Sequence, residues 1–423
     1  MVTGLEKIAS NKSKFPESKH RNLMYHVNEN TLKQVYKRLS RKKAVGVDEV
    51  TKDEYGKQLD ENLADLIKRM KSYSYRPQPA RREYIAKAGS KKLRPLGIPS
   101  FEDKLVQGVM TDILNVIYEP LFYDFSYGFR PDRSCHQAIH ALDKMIFRNK
   151  VNYIVDADIK GFFDNVDHKI LMKFLEEEIG DKSLLRYIVR FLKSGIMEDG
   201  EFIETEKSTP QGALISPILG NVYLHYALDM WFEIAVKKYC RGFCGMVRYA
   251  DDFVCCFEKE AEAKEFFIKL QERLQKFGLE IEVDKSRLIR FGRKAGADKG
   301  RFDFLGFTFI SGKSRTGGYQ IIRRTSGKKM GAKLKEVNEW LKQNRHLPIP
   351  EMVKKLNQKL IGHYRYYGII GNFSKLYVYR RYVMYRMKVW LGRRSQKAKM
   401  TWEKFYKTME FNPLVEPKIY HQI

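Results

Sequence analysis

The chain of 423 residues lacks the features of a secreted or membrane-spanning protein. No run of 18 apolar residues occurs anywhere in it. The N-terminal stretch "MVTGLEKIASNKSKF" has no apolar core of the kind that a signal peptide needs. We therefore expect a cytoplasmic protein.

Cysteine is scarce, which excludes a disulfide-rich scaffold. The five cysteines form no pair of CxxC motifs and no Cys/His spacing typical of a zinc site. We predict that they are reduced residues filling the protein interior. They are Cys135, Cys240, Cys244, Cys255 and Cys256.

Acidic residues are few in the last quarter of the chain. Residues 311–423 hold 26 Lys and Arg against 6 Asp and Glu, whereas the remainder holds 53 against 45. The formal net charge of the whole chain is +28. Such an excess favours a polyanionic partner, with nucleic acid as the leading candidate. The alternative is a basic protein whose cations are merely solvated.

The pattern of apolar residues predicts an α+β fold whose central sheet carries acidic residues. The first 75 residues are mostly helical in pattern. "REYIAK" and "KKLRPLGIP" then form a predicted hairpin, and "FGLEIEVDKSRLIRF" and "FDFLGFTFI" are predicted strands. Ser216 is a predicted helix cap before Pro217. Long helical patterns are expected after Ser311.

The segment "GMVRYADDFVCCF", residues 245–257, predicts a strand, a tight turn and a second strand. Asp251 and Asp252 lie at its tip. Two carboxylates this close repel each other, so a positive group is expected beside them. The alternative is an ordinary solvated turn, because Asp suits turns.

A third acid follows another apolar strand, in "IVDADIKGFFD". Asp156 and Asp158 are two residues apart and therefore face the same side of that strand. Two divalent cations held close together need several shared carboxylates, and Mg²⁺ prefers such oxygen ligands. We therefore predict a magnesium site made by Asp158, Asp251 and Asp252.

Seven motifs in order give the chain a family resemblance. They are "KKLRPLGIPSFEDKLVQ", "SYGFRPDRSCHQAI", "DIKGFFDNVDH", "TPQGALISPILGNVYL", "YADD", "LEIEVDKSRLIRF" and "FDFLGFTF". Together they resemble bacterial group II intron-encoded reverse transcriptases, and "GHYRYYG" resembles their maturase domain. No Cys-rich HNH endonuclease domain follows these motifs. In this respect the chain resembles the class C members of the family.

The resemblance implies a right-hand polymerase in three parts. Residues 1–75 would be an N-terminal extension, and residues 76–310 the fingers and a palm with an antiparallel sheet. Residues 311–423 would be an α-helical thumb and maturase domain, also called domain X.

The same resemblance implies roles for individual residues. Asp158, Asp251 and Asp252 would be the catalytic ligands of two Mg²⁺ ions, with Mn²⁺ as a possible substitute, while Asp156 has no implied role. Phe163 would exclude a 2′-hydroxyl from the incoming sugar, and neighbouring Phe162 would be core. The remaining nucleotide-binding residues would be Lys87 (or Lys91 or Lys92 in its place), Arg94, Gln211 and Lys285.

RNA binding is expected in the basic, aromatic tail and in "SYGFRPDR". Stacking rings beside cations suit folded or single-stranded RNA. The alternative is a helical thumb whose rings are core, which the spacing allows for about half of the tyrosines. The candidate RNA-binding residues are Arg130, Arg133, Arg365, Tyr366, Arg380 and Arg381.

The implied function is RNA-directed DNA synthesis in the bacterial cytoplasm. Its partners would be an RNA template, a DNA primer, deoxynucleoside triphosphates, group II intron RNA and target DNA, and it would assist splicing and retromobility. One alternative is an intron-free reverse transcriptase serving phage defence or diversity generation. Another is a catalytically inactive RNA-binding splicing cofactor.

Overall fold

The structure is a computed structural model that describes residues 18–86, 93–198, 200–203, 212–293, 295, 300–314, 316–395 and 400–423. Its described residues divide into two compact units. The first unit lies within Met1–Ala86, Lys92–Ala138 and Tyr153–Leu288. The second lies within Ile139–Asn152 and Ile289–Ile423. None of the helices in the described ranges is long and apolar enough to cross a membrane.

The first unit is rich in helices, as its amphipathic patterns predict. Short 3₁₀ helices span Leu23–His26 and Phe162–Asp164, and π-helical segments span His225–Asp229 and Phe232–Val236. The helix Cys135–Arg148 begins in this unit and ends in the second. The other α-helices are Glu29–Arg38, Lys52–Gly56, Leu59–Lys71, Phe101–Tyr118, His168–Glu178, Lys182–Leu192, Ser216–Leu224, Lys237–Tyr239 and Glu260–Gln275.

Eight strands form two four-stranded sheets. The strands are β1 Ala80–Ala86, β2 Leu93–Ile98, β3 Tyr153–Asp158, β4 Ile196–Glu198, β5 Glu201–Ile203, β6 Cys244–Tyr249, β7 Asp252–Phe257 and β8 Arg287–Arg290. They belong to the first unit, except for the last two residues of β8, which fall in the second. One sheet has the order β2-β1-β4-β5 and contains the predicted β1–β2 hairpin; the other has the order β6-β7-β3-β8. In the second sheet, β7 pairs antiparallel with both β6 and β3.

Strand β7 is buried along most of its length, and half of the residues of β3 are buried. Val155, Phe253 and Cys255 belong to one apolar core that also includes residues of the helices Phe101–Tyr118 and Ser216–Leu224. Burial on both faces gives a strand a continuous apolar pattern, as "DFVCCF" has. All five cysteines are free, and Cys255 and Cys256 are fully buried, which confirms their predicted packing role for this pair.

The second unit begins with an antiparallel meander and continues as helices. Its strands are β9 Arg301–Phe304, β10 Phe307–Lys313 and β11 Tyr319–Thr325. Its helices are Gly327–Gln343, Ile349–Tyr367, Phe373–Leu391 and Trp402–Phe411. The antiparallel sheets and these helices confirm the predicted fold class.

Two local predictions were confirmed in part and one was wrong. The long helices expected after Ser311 are present, but they begin at Gly327, after β10 and β11. Of the predicted strand "FGLEIEVDKSRLIRF", only Arg287–Arg290 forms a strand, β8, and Ile281 makes an isolated β-bridge to Ile159. Ser216 is the first helical residue rather than the cap, and the N-cap residue Ile215 offers no side-chain hydrogen bond. The boundary placed between residues 310 and 311 falls inside β10 and stays a prediction.

Asn372 joins the meander of the second unit to its helices. Its side chain is fully buried, accepts from the Thr325 backbone N–H at 3.0 Å and donates to the Thr325 hydroxyl at 2.8 Å. It also donates to the Tyr367 carbonyl at 2.9 Å. One amide thus satisfies three buried polar groups from two elements.

We expect Asn372→Ala to lower the free energy of unfolding of the second unit by about 3 kcal/mol, because buried partners lose their bonds. Urea unfolding followed by circular dichroism measures the loss. The control is Asn149→Ala, which removes an exposed amide bonded only to the Met145 carbonyl and should change stability by less than about 0.5 kcal/mol. Equal effects of the two substitutions would contradict the assigned role.

Candidate active site

The hairpin of β6 and β7 carries two of the three acids. Tyr249 pairs with Asp252, so the turn between them consists of Ala250 and Asp251 alone. Ala250 has φ of +57°, a conformation that tight hairpin turns require and that usually selects glycine. A non-glycine residue held there costs about 1–3 kcal/mol, so the surroundings must impose it. The predicted strand, turn and strand are confirmed.

The register of the sheet brings the third acid beside this hairpin. Asp158, the last residue of β3, pairs directly with Asp252, the first residue of β7. Directly opposed residues of antiparallel strands have Cβ atoms about 5 Å apart and face the same side. Asp156 lies two residues earlier on that face, opposite Val254. Two carboxylates from distant parts of the sequence therefore converge.

A lysine supplies the positive charge that the acids require. The Lys285 ammonium lies 3.0 Å from the Asp158 carboxylate and 3.3 Å from that of Glu282. The hydrogen bond to Asp158 raises the pKa of Lys285. The segment is tied to the end of β3 by a backbone bond from Glu282 N–H to the Asp158 carbonyl at 2.8 Å and by Ser286, whose hydroxyl accepts from the Asp158 N–H.

The donor set fits a hard divalent cation. Within the described residues, no group of three or more His, Cys, Asp or Glu side chains is placed to hold a metal ion unaided. Magnesium is, however, usually bound by one or two carboxylates together with substrate phosphates and water. Asp158 and Asp252 offer two such carboxylates side by side, and Asp251 adjoins them in the turn.

The described nucleotide-binding candidates occupy different elements of the first unit. Phe163 lies in the 3₁₀ helix five residues beyond Asp158 and is half-buried, whereas Phe162 is 2% exposed and belongs to the core. Gly220 faces both rings, and a Cβ there would lie 3.1 Å from each of them. Arg94 is an exposed residue of β2. Lys87, Lys91, Lys92 and Gln211 lie outside the described residues.

The two arginines of the "SYGFRPDR" loop differ in exposure. Arg130 is buried, forms a bidentate ion pair with Glu119 and donates to two backbone carbonyls at 2.7 Å. Its guanidinium therefore braces the loop. Arg133 pairs with the exposed Asp124 at 2.8 Å and lies over the Tyr127 ring, and it retains more contact with solvent.

The four tail candidates also divide into exposed and engaged residues. Arg365 and Arg381 are exposed. The Tyr366 hydroxyl donates to a backbone carbonyl at 2.9 Å. Arg380 is largely buried and pairs with Glu416 at 2.5 Å. Tyr366 and Arg380 thus contribute to the packing of the second unit, and RNA binding by the four tail candidates stays a prediction.

Sequence reasoning also missed a buried polar network behind the hairpin. Arg248 and Asp229 are both fully buried and form an ion pair, and Arg248 also donates to Asn221 and to the Ala250 carbonyl. The only available signal was a charged residue within the otherwise apolar strand "GMVRY".

Comparisons with known proteins agree with this geometry. Residues 85–309 match the family described as "Reverse transcriptase (RNA-dependent DNA polymerase)". Residues 328–407 match "Group II intron, maturase-specific domain".

Individual relatives cover different parts of the chain. The group II intron-encoded protein LtrA of Lactococcus lactis subsp. cremoris is 43% identical over 178 residues, which are 42% of this chain and 29% of that protein. Protein YkfC of Escherichia coli (strain K12) is 31% identical over 313 residues, 66% of this chain and 78% of YkfC. An uncharacterized 91 kDa protein in the cob intron of Schizosaccharomyces pombe is 40% identical over 170 residues, 40% of this chain and 20% of that protein.

The chain thus spans less than a third of the length of LtrA and about three quarters of that of YkfC. The reverse transcriptase match alone covers more than half of the chain and includes all three aspartates. The chain belongs to the reverse transcriptase family, and it joins that domain to a maturase-specific domain of group II introns.

Proposed function

We propose that this chain is an RNA-directed DNA polymerase encoded by a group II intron. It would copy RNA into DNA by two-metal nucleotidyl transfer and bind its intron RNA to assist splicing and retromobility. The observation that carries the polymerase proposal is the direct pairing of Asp158 with Asp252 at the Ala250–Asp251 turn. Two carboxylates on directly opposed residues of a sheet need a cation beside them. Binding of catalytic metal ions would explain why the chain places both carboxylates there.

Each residue of the site has a proposed task. Asp158, Asp251 and Asp252 would hold the cations, and Arg94 and Lys285 would face the triphosphate. Bound Mg²⁺ would supply charge stabilisation for the primer 3′-hydroxyl and for the departing pyrophosphate. The ion pair with Lys285 orients the Asp158 carboxylate. Phe163 would lie against the sugar of the incoming nucleotide.

The intron assignment is supported by the second unit. Its match to the maturase-specific domain favours an intron-encoded protein over an intron-free reverse transcriptase. Its charge excess favours RNA as a binding partner. The three intact aspartates weigh against an inactive splicing cofactor. The substrates and nucleic-acid partners of the reaction would be deoxynucleoside triphosphates, a DNA primer, an RNA template and target DNA.

An exposed stripe on the helix Phe373–Leu391 supports RNA binding further. Phe373, Tyr377, Arg381 and Tyr385 recur at four-residue spacing and are all exposed, which places them along one face. Tyr364, Tyr367 and Tyr379 are buried instead, so core packing accounts for only some of the tail tyrosines.

The stripe continues onto the helix Trp402–Phe411. The Tyr385 ring lies 6.5 Å from Trp402, which stacks on Tyr406 at 5.6 Å, and the Lys388 ammonium is 5.1 Å from the Trp402 ring. Exposed rings interleaved with cations are the surface on which unpaired bases stack. We propose that this surface, together with Arg365, contacts intron RNA.

The first test of the polymerase proposal is Asp252→Ala. Loss of a cation ligand should lower the rate of extending a DNA primer on an RNA template by about 1,000-fold, since metal charge stabilisation amounts to several kcal/mol. Binding of structured RNA should persist. The control is Asp60→Ala, which removes an exposed acid of the helix Leu59–Lys71 and should leave extension within about twofold. Extension by a folded Asp252→Ala protein within tenfold of wild type would refute the proposed site.

The second test concerns the sugar. Phe163→Val should open space for a 2′-hydroxyl and lower the preference for deoxynucleotides over ribonucleotides by at least about 10-fold, the scale of steric discrimination by a pocket. The measurement compares kcat/KM for the two nucleotides. Phe174→Val removes a similarly half-buried ring that stacks on Tyr226 at 4.8 Å, and it should leave the ratio unchanged. An unchanged ratio in Phe163→Val would make Phe163 a packing residue.

The third test concerns the stripe. The triple variant Tyr377→Ala/Arg381→Ala/Tyr385→Ala should weaken binding of the flanking intron at least about 10-fold, because each stacked base contributes about 1–3 kcal/mol. Its unfolding midpoint should stay unchanged, since all three side chains are exposed. Lys355→Ala removes the same single charge from another exposed site and should weaken binding by less than about threefold. If wild type binds an unrelated structured RNA of equal length as tightly as its intron, the maturase proposal fails.

A further inference from the structure

Arg248 is the largest of the fully buried side chains, and it lies three residues before Asp251 in β6. Burying a guanidinium is unfavourable unless its donors are paired. Its neighbours Val247 in β6 and Phe253 in β7 are buried and apolar, so an arginine at this position requires a specific reason.

The guanidinium reaches three partners at once. Its Nε donates to the Asp229 carboxylate at 2.8 Å, and Nη2 donates to the other oxygen of the same carboxylate. Its Nη1 donates to Asn221 Oδ1 at 3.1 Å and to the Ala250 carbonyl at 3.0 Å. The bidentate ion pair therefore fixes the plane of the guanidinium, and the remaining arm holds the backbone of the turn that carries Asp251.

The loop at residues 125–130 clamps the same turn from a second direction. The Arg248 backbone donates to the Phe125 carbonyl and accepts from the Tyr127 N–H, both at 2.8 Å. Asn221 Nδ2 donates to the Gly128 carbonyl at 2.7 Å. Gly128 lies so close to the turn that an added Cβ would be 2.2 Å from the Ala250 nitrogen. Asn221 thus links this loop to the guanidinium.

The partner acid is placed by an uncommon helix geometry. Asp229 ends the π-helical segment His225–Asp229, which directly follows the helix Ser216–Leu224 that carries Asn221. π-helical turns are rare and recur at functional sites. At the end of this segment the Asp229 carboxylate meets Arg248, with neither group exposed to solvent.

We propose that Arg248, oriented by Asp229 and Asn221, is a positioning residue that imposes the strained Ala250 conformation and thereby sets where Asp251 and Asp252 present their carboxylates. The inference rests on the proposed polymerase function for its catalytic consequence. Its structural content, that the network holds the turn, is independent of any activity.

The experiment uses the whole chain and compares two variants, each with a single substitution. Arg248→Lys retains a cation for Asp229 but cannot span Asp229 and Ala250 with a planar fork. Asn221→Ala leaves the ion pair with Asp229 intact and removes the hydrogen bonds that Asn221 makes to Arg248 Nη1 and to the Gly128 carbonyl. It provides a second variant if Arg248→Lys does not fold. Tyr75→Phe is the control, because it breaks another buried polar contact of the first unit, to Asp103.

Two readouts are measured on each protein. Hydrogen exchange of the peptide containing Tyr249–Asp252 should be at least about 10-fold faster in Arg248→Lys and Asn221→Ala, and other peptides of the first unit should be unaffected. The Mg²⁺ concentration for half-maximal primer extension should rise at least about threefold, and kcat should fall. Tyr75→Phe should change neither readout at the turn.

A rescue separates positioning from plain stability. Adding Ala250→Gly to Arg248→Lys removes the steric cost of the positive φ, so it should return the Mg²⁺ midpoint toward that of wild type. Uniformly faster exchange throughout the first unit, an unchanged Mg²⁺ midpoint and no rescue would each overturn the proposal. Absence of extension by wild type would instead refute the polymerase function, and the exchange data would still decide the role of Arg248.

Discussion

The pairing of Asp158 with Asp252 is the constraint on which the rest of the first unit depends. Two carboxylates on directly opposed residues repel each other, and solvent screens this repulsion only in part, because Asp252 is exposed but Asp158 is partly buried. The fold therefore has to supply positive charge and a rigid backbone at this point. Lys285 provides the charge, and its segment is bonded to the end of β3.

Rigidity has a separate source on the other side of the sheet. Ala250 adopts a conformation that alanine avoids, and its carbonyl, its nitrogen and the strand before it are all contacted by Arg248 or by the loop at 125–130. The interior of the unit thus contains a buried ion pair where an apolar core would be easier to build. The second unit works under a different constraint, since its excess of cations must be kept apart on exposed helix faces.

Much of the site was readable from sequence because its chemistry is local. The hairpin followed from apolar residues flanking two aspartates, and the parity of "IVDAD" placed Asp158 on the correct face. The order of the motifs along the chain then indicated that the hairpin and Asp158 belong to one site. Strand order was not readable, because the register between β3 and β7 joins residues almost a hundred positions apart. The packing contacts of Arg130 and Arg380 were not readable for a related reason: exposed and buried cations look alike in sequence, and only tertiary partners such as Glu119 and Glu416 distinguish them. Their RNA-binding roles stay predictions.

We propose that Asp158 and the Ala250–Asp252 turn share bound divalent cations. Replacing Mg²⁺ with Fe²⁺ and adding ascorbate and peroxide generates radicals at the bound ion, which cut the nearby backbone. If the cations are shared, cleavage is expected at two positions, one at the end of β3 near Asp158 and one at the β6–β7 turn, and excess Mg²⁺ should suppress both. Cleavage at other positions only, or cleavage insensitive to Mg²⁺, would contradict a shared cation site.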